Sequence, residues 1–384
     1  MAAWSARDHA LMARALRLAE LGLYTTAPNP RVGCVLAHGD EVVGEGWHAR
    51  AGEPHAEAHA LQAAGTRSRG ATAYVTLEPC AHHGRTPPCA EALVAAGVAR
   101  VVVAHEDPHA RVDGRGLARL RDAGIAVETG LLREAAWELN RGFFSRHTRG
   151  RPWLRLKLAM SLDGRTALAN GRSQWISGEA ARIDVQHWRA RSDALLTGSG
   201  TVRVDDPRLT VRPSDLAAAG AMRGPVDREA DGERGPAPAY RPPLRVVLDS
   251  GLTTPAGRHV LDGGTPSLFL HAPHARRAAH FAAVECAEVR PGHGRLDLAA
   301  VLAHLGEREI NEVQVEAGHT LCGAFFAAGL VDELLLYVAP VLLGDAAQPL
   351  LTLPPLADMA QRWSLRVVEQ RAVGADWRLL LRPA

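Results

Sequence analysis

Cysteine is scarce in this 384-residue chain, which has five: Cys34, Cys80, Cys89, Cys286 and Cys322. A sparse, odd set argues against a disulfide-stapled scaffold and for a reducing compartment, where a close Cys pair is more often a metal site. No apolar run is long enough to span a bilayer, and the opening MAAWSARDHALM has no apolar core of signal-peptide length. The sequence therefore reads as soluble and cytoplasmic. Aromatic residues make up 5% and the formal net charge is +2. That leaves neither the stacking platforms nor the basic stripe that nucleic-acid binding uses. Lysine is almost missing: of 44 basic residues, Lys157 alone is lysine. Base composition of the genome accounts for the arginine excess, so the single lysine is worth explaining. An ammonium is a compact donor that a planar guanidinium does not imitate.

The length suggests two domains with separate cores. Ser5-Ala-Arg-Asp8 resembles a capping box, opening a helix that runs to Gly22. Arg31 to Leu36 and Glu41 to Trp47 read as strands about a His38-Gly-Asp40 turn, and a helix follows from about His55 to Ala64. Thr72 to Leu77 and Arg100 to Ala104 are β-rich, and 89–96 is helical. A helix from about Gly116, the strand Ile125 to Glu128 and a helix at about 131–145 complete an α/β unit with helices on both faces of its sheet. The expected division is a first domain at 1–145, a basic Gly/Pro linker at 146–152 and a second domain at 153–384. The second half reads as a strand at Trp153 to Ala159, a helix at about 178–190 and strands at Ala194 to Leu196, Leu244 to Leu248, Ser267 to Leu270 and Glu312 to Val315. A long strand pair near 332–342 and 375–382 closes it. Residues 213–243, rich in Pro, Gly, Ala and charge, read as a surface insertion.

Chemistry gathers in two places. The first is Pro54-His-Ala-Glu-Ala-His59 with Glu78-Pro-Cys80 and Cys89. His-x-Glu at a helix start, a strand ending in Pro-Cys and a second Cys on the next helix form the zinc-deaminase arrangement. His55, Cys80 and Cys89 supply three ligands and leave a fourth tetrahedral position for water. Zinc lowers the pKa of that water toward about 7. Glu57 is the expected proton shuttle, and helix N-termini help to keep the cysteines as thiolates. A zincin is excluded, because there the glutamate directly follows the first histidine. His59 is assigned to packing or hydrogen bonding, and Cys34 and Cys286 to plain interior or loop positions.

Eight residues, Ala-His-His-Gly-Arg-Thr-Pro-Pro, separate Cys80 from Cys89, unlike the Pro-Cys-x-x-Cys of nucleoside deaminases. Together with Thr25-Thr-Ala-Pro-Asn-Pro-Arg-Val-Gly33 and Gly52-Glu-Pro-His-Ala-Glu57, this loop resembles the bifunctional deaminase/reductase family of riboflavin biosynthesis. The resemblance implies a cytidine-deaminase-like α/β/α sandwich acting on a pyrimidinone ribonucleotide, whose 2-amino group is hydrolysed. It also implies that Asn29, His48, His82 and Arg85 surround that substrate. The loop's imidazoles and guanidinium suit a sugar and phosphate grip.

In the second half, no Gly-x-Gly-x-x-Gly follows the first strand, which disfavours an ordinary Rossmann domain. Val315-Glu-Ala-Gly-His-Thr-Leu-Cys-Gly-Ala324 is a strand, a Gly turn and a helix start, a ready seat for a pyrophosphate. Leu196-Thr-Gly-Ser-Gly-Thr201 is a second small-residue turn. The family resemblance extends through Leu156-Lys-Leu-Ala-Met-Ser-Leu-Asp-Gly-Arg165, Ser173-Gln-Trp-Ile176, Thr201 to Thr210 and Val331-Asp-Glu-Leu334. It implies an NADPH-dependent reductase domain similar in fold to dihydrofolate reductase. Ala159, Trp175, Thr201, Asp205, Ser250 and the turn Gly318, His319, Thr320, Leu321, Cys322, Gly323, Ala324 would meet the nucleotide. Ser173, Arg189, Leu209, Arg212 and Glu316 would meet the substrate, with Arg189 and Arg212 as phosphate clamps. His319 departs from the small residue expected after that glycine. Hydride transfer to C1′ of the ring-opened ribosylamine would give a ribityl chain. Alternation along Arg155-Leu-Lys-Leu-Ala159 places Lys157 on the face of Ala159, in the same cleft; Lys157 or Glu316 is then the candidate for polarising the opened sugar. Two rivals remain: a transfer-RNA base deaminase with an accessory domain, and a non-catalytic zinc-clipped binding module. Partners follow the main reading: a small ribonucleotide, no nucleic acid, no membrane and possibly a second copy of the chain.

Overall fold

A computed structural model describes residues 4–81, 88–109, 112–218, 240–292 and 294–384. Its first helix, α1 (Ala6–Glu20), opens on the expected capping box. Ser5 Oγ accepts from Asp8 N at 3.1 Å, and Asp8 Oδ2 accepts from Ser5 N at 3.0 Å. The helix ends two residues before Gly22, at a Leu21 cap. Strands β1 (Gly33–His38) and β2 (Glu41–Trp47) form the hairpin, and α2 (Ala56–Ala64), β3 (Thr72–Val75), α3 (Cys89–Ala96) and β4 (Arg100–Val103) follow. The unit is completed by α4 (Arg115–Asp122), β5 (Ala126–Thr129) and α5 (Arg133–Arg149). The strand order is β2-β1-β3-β4-β5, antiparallel through β3 and parallel from β3 to β5.

The period-2 alternation of the strands divides the apolar residues between two faces. Leu36, Ala73, Val75 and Val101 face Ala60 of α2, Leu93 of α3 and Leu120 of α4. Val35, Tyr74 and Val102 face Met12 and Ala15 of α1 and Ala136 of α5. This is a three-layer sandwich. Residues 146–149, expected in the linker, instead complete α5. Thr148 Oγ1 bonds back to Phe144 O at 2.8 Å, and Phe143 and Phe144 are buried. The chain divides into two compact units between Arg149 and Gly150.

The second unit begins with β6 (Trp153–Ser161), β7 (Arg165–Ala167), α6 (Glu179–Arg191), β8 (Ala194–Gly198), α7 (Ser199–Asp205), α8 (Pro213–Ala218) and β9 (Leu244–Leu248). Next come β10 (Ser267–His271), β11 (Glu285–Glu288), the short pair β12 (Pro291–Gly292) and β13 (Arg295–Leu296), α9 (Leu298–Glu307), β14 (Glu312–Val315) and α10 (His319–Ala327). It closes with β15 (Glu333–Ala339), β16 (Gln348–Pro349), β17 (Leu365–Val373) and β18 (Asp376–Pro383). Nine strands make one sheet, ordered β11-β10-β9-β8-β14-β6-β15-β18-β17 and parallel from β11 to β15. Strands β18 and β17 are antiparallel additions. Leu154, Leu156 and Leu158 of β6 pack on one face with α9 and α10, while Trp188 of α6 packs on the other with Leu335 and Tyr337.

On that second face Arg155 is wholly buried between Glu312 and Glu333, each 2.9 Å away. Removing one partner of such a buried pair costs roughly 3–5 kcal/mol, so the triad fixes how β14, β6 and β15 lie side by side. Of the insertion expected at 213–243, residues 213–218 form α8, and 219–239 lie outside the described residues. The sequence reading missed α9, although Asp297 caps it through Ala299 N at 2.9 Å and Ala300 N at 3.1 Å ahead of an apolar stripe. It missed β17 because that edge strand is exposed on nearly every residue and lacks a buried face to give it a period. Among the described residues, no helix is long and apolar enough to cross a membrane.

Candidate active sites

In the first unit, close packing of α2 on the hairpin sets the metal site. A Cβ at Gly46 would lie 2.7 Å from Ala56 O and 2.4 Å from His59 Cβ, so only glycine lets the helix N-terminus come so near. His59 therefore packs, as expected. His55 is the N-cap of α2, and Cys89 is the first residue of α3. The ligand atoms of His55, Cys80 and Cys89 all lie within 4.8 Å of one another. His55 Nδ1 is 3.7 Å from Cys80 Sγ and 3.3 Å from Cys89 Sγ. Tetrahedral zinc with ordinary Zn–N and Zn–S bonds requires an N···S separation of about 3.6 Å, so the residues present fit the ion.

The electrostatics suit this chemistry. Cys80 is held well below the usual thiol range: Cys89 donates to it, and His55 adds to the effect against the cost of burial. Cys89 N also donates to Cys80 Sγ at 3.3 Å. Glu57 is 3% exposed, and burial raises its pKa, so it holds a proton more readily than an ordinary glutamate. Asn29 and His48 are brought to the same place. Asn29 Nδ2 lies 3.1 Å from His48 Nε2, His48 Nδ1 is 3.2 Å from Pro54 O, and the His48 and His55 rings are 5.2 Å apart. Burial lowers the His48 pKa, favouring the neutral ring. His82 and Arg85 lie outside the described residues.

In the second unit a cleft of about 1490 Å³ opens at the carboxyl ends of the parallel strands. Lys157 and Ala159 line it from β6, as the alternation requires. Thr201 and Asp205 line it from α7, and Ser250 from beyond β9. Gly318, His319, Thr320, Leu321 and Ala324 reach it from the turn into α10. That helix has a glycine N-cap without a side-chain cap, leaving its first N–H groups for a ligand, and a Cβ at Gly318 would meet nothing within 4 Å. This suits a dinucleotide's pyrophosphate. Cys322 and Gly323 do not line the cleft. Helical rotation turns them inward: the Cys322 thiol donates to Ala317 O at 3.3 Å, and a Cβ at Gly323 would lie 2.2 Å from Thr352 O.

Ser173, Trp175, Arg189, Leu209, Arg212 and Glu316 also line this cleft. Trp175 is 69% exposed beneath the Arg182 guanidinium, 4.8 Å from its ring centre, and so is no core aromatic. Both expected phosphate clamps already hold carboxylates. Arg189 donates twice to Glu316, at 2.7 Å each, and once to Thr210 O at 2.9 Å. Arg212 pairs with Asp215 in an exposed contact that opens at little cost. Burial opposes ionisation of Glu316, yet Arg189, Lys157 and Gln314 together bring it down to about 2.

Residues 5–105 match the cytidine and deoxycytidylate deaminase zinc-binding region, and residues 152–379 match the RibD C-terminal domain. The riboflavin biosynthesis protein RibD of Escherichia coli is 50% identical over 371 residues, covering 96% of this chain and 98% of that one. The chain belongs to the RibD family. The Haemophilus influenzae RibD protein is 46% identical over 392 residues, covering 100% of this chain and 99% of its own. Acinetobacter baumannii RibD superposes with a TM-score of 0.86 at 43% identity, covering 98% of this chain and 99% of that one. The Thermotoga maritima diaminohydroxyphosphoribosylaminopyrimidine deaminase/5-amino-6-(5-phosphoribosylamino)uracil reductase gives 0.81 at 30% identity, with 98% and 99% covered.

This RibD-family chain thus has a zinc-binding deaminase domain with a His/Cys/Cys site and a reductase domain of the NADPH-using type. Sequence reasoning missed Asp107, whose carboxyl accepts from His109 N at 2.8 Å. Burial pushes it up to about 7, with Glu78 and Cys80 adding to the rise. It also missed Gln314, which is wholly buried and donates to Glu316 at 2.9 Å. Both bond only two residues along the chain, so what marks them is burial and, for Asp107, the nearness of Glu78 and Cys80, which only the fold brings about.

Proposed function

We infer that this chain is a bifunctional enzyme of riboflavin biosynthesis. Its first domain deaminates 2,5-diamino-6-(5-phosphoribosylamino)pyrimidin-4-one to 5-amino-6-(5-phosphoribosylamino)uracil. Its second reduces the ribosyl group of that product to a ribityl chain. The reading rests above all on three ligand atoms gathered within 4.8 Å beside the buried acid Glu57. A non-catalytic zinc clip has no use for such a carboxyl group. A transfer-RNA deaminase is disfavoured by scarce aromatics and near-neutral charge, and by the separate reductase domain.

In the deaminase site, His55, Cys80 and Cys89 would hold a zinc ion, which would supply Lewis acidity toward the attacking water. Glu57 moves the proton to the ring nitrogen and the leaving amine. Asn29 and the neutral His48 orient the base; His82 and Arg85 grip the sugar and phosphate. In the reductase site, NADPH supplies the hydride. Ala159, Trp175, Thr201, Asp205, Ser250 and the turn into α10 hold the nucleotide, while Ser173, Leu209, Arg212 and the Arg189–Glu316 pair hold the substrate.

Glu316 stays anionic at neutral pH, so it is no proton donor. That role passes to Lys157. No hydrogen bond or ion pair engages its ammonium among the described residues, and the Tyr337 ring centre lies 5.8 Å away. Burial lowers the Lys157 pKa, which makes it a better acid, while Glu316 acts the other way. Lys157→Arg is expected to slow NADPH-dependent reduction at least about tenfold, equivalent to roughly 1.4 kcal/mol of barrier, and to leave ammonia release unchanged. Following ammonia release and NADPH loss separately on the diaminopyrimidinone ribotide tests the whole reading. Wild-type reduction kinetics in the Lys157 variant would remove the lysine from the mechanism.

The site chemistry requires a small ribonucleotide and no nucleic acid or membrane, and we place the enzyme in the cytoplasm. A second copy of the chain is the partner we propose at the sheet edge. On β17, Val367 is 57% exposed, and Trp377 on neighbouring β18 is 50% exposed, an apolar edge strand of the kind that pairs. Light scattering is expected to give a mass well above the 41.0 kDa chain, and Val367→Lys to reduce it. A monomeric wild type would sink this.

A further inference from the structure

We infer that Glu78 is a positioning residue for the deaminase metal site and acts through the start of α4. The inference rests on the reading of His55, Cys80 and Cys89 as zinc ligands. Glu78 stands two residues before Cys80 and is 4% exposed. No basic side chain pairs with it among the described residues. Its carboxylate accepts four backbone N–H groups instead. Oε1 takes Gly116 N at 2.9 Å and Leu117 N at 3.3 Å, while Oε2 takes Gly114 N at 3.1 Å and Asp107 N at 3.3 Å. The N-cap of α4 is Gly114, which has no side chain to satisfy the first amides of the helix. Glu78 does this from another segment, with its negative charge at the positive end of the helix.

The ligand-bearing segment is thereby held from two sides. Glu78 N donates to His105 O at 3.0 Å. Pro79, the only residue between Glu78 and Cys80, lies against the backbone of α4: a Cβ at Gly116 would come within 1.9 Å of Pro79 O. On the other side Cys80 O accepts Ala90 N at 3.1 Å, and Cys80 Sγ accepts Cys89 N at 3.3 Å. Cys80 is therefore seated between α3, which carries another ligand, and α4, which carries none. The α4 side depends on a group with two acceptor oxygens. Glutamine has the same shape but offers one oxygen and one NH2, and the NH2 would face two N–H donors. An alanine at Gly116 would push Pro79 away from α4 and crowd Glu78 Oε1, 3.2 Å from the added Cβ, while the carboxylate keeps both its acceptor oxygens.

Glu78→Gln and Gly116→Ala are both expected to release zinc to a chromogenic chelator faster than the wild type, roughly 10–100-fold. The cobalt(II)-substituted variants are expected to show a weakened or shifted thiolate-to-cobalt charge-transfer band. NADPH oxidation on the deaminated ribotide should not change. Leu120→Ala is the control, because Leu120 is fully buried on the same helix and its backbone N–H is not among those that Glu78 accepts. Measured below its melting temperature, it should keep the wild-type release rate and cobalt spectrum. Equal release from Leu120→Ala would mean that helix stability, not positioning, governs the site. Wild-type release rates and cobalt spectra in the Glu78 and Gly116 variants would overturn the inference. If Glu78→Gln does not fold, Gly116→Ala reads the same contact from the other side. A wild-type protein that holds no zinc would instead defeat the reading of the three ligands.

Discussion

Glu57→Gln is expected to keep its zinc and lose ammonia release by roughly 10²–10⁴-fold, the usual contribution of a positioned proton shuttle. Glu57 lies in the first turn of α2, two residues past His55, and is buried. Burial raises its pKa, which favours the protonated, donating form at a higher pH than for an exposed glutamate. Glutamine fits the same space, so the site should keep its shape. It neither takes nor gives up a proton, so both transfers fail. Metal analysis separates the outcomes: zinc lost together with activity would make Glu57 a ligand. NADPH oxidation on the deaminated ribotide should match the wild type.

Cys80→Ser is expected to abolish both zinc binding and ammonia release while the reductase survives. Cys80 Sγ accepts the Cys89 backbone N–H at 3.3 Å, and Cys89 and His55 hold its thiol below the usual range. A serine hydroxyl stays protonated at neutral pH and is a poor ligand for zinc. The two halves bury separate cores. Leu36, Val75, Leu93 and Leu120 belong to the first, and Leu156, Leu196, Val315 and Phe325 to the second. Damage at the metal should therefore not reach the cleft. Atomic absorption on the purified variant, paired with NADPH oxidation on the deaminated ribotide, checks both halves. Loss of both activities in a protein that keeps its circular dichroism and melting transition would contradict separate sites.

Local pattern was enough to specify much of this protein. Ser5 and Asp8 make a capping box because their partners are three residues apart, and that is visible in one dimension. The alternation in Arg155-Leu-Lys-Leu-Ala159 sends Leu156 and Leu158 into the core and Lys157 to the cleft, because a strand has a period of two. His55, Cys80 and Cys89 were legible because His55 and Cys89 mark the starts of two helices, Cys80 follows β3 in a Pro-Cys step, and zinc chemistry accepts few donor sets. What the tertiary structure alone decided depends on partners far apart in the chain. The Arg189 fork is held by Glu316, 127 residues on, so a side chain expected as a free phosphate clamp is half of a bidentate pair. Cys322 and Gly323 share a turn with cleft residues but rotate inward with α10, because the helix must bury one face. Glu78 reads as an ordinary acid before Pro-Cys until α4, more than thirty residues later, brings Gly114, Gly116 and Leu117 to its oxygens. Sequence pattern reports what a residue does to its own element. Which donors meet its side chain is settled only when the elements pack, since hydrogen bonds and ion pairs act over about 3 Å of space regardless of distance along the chain.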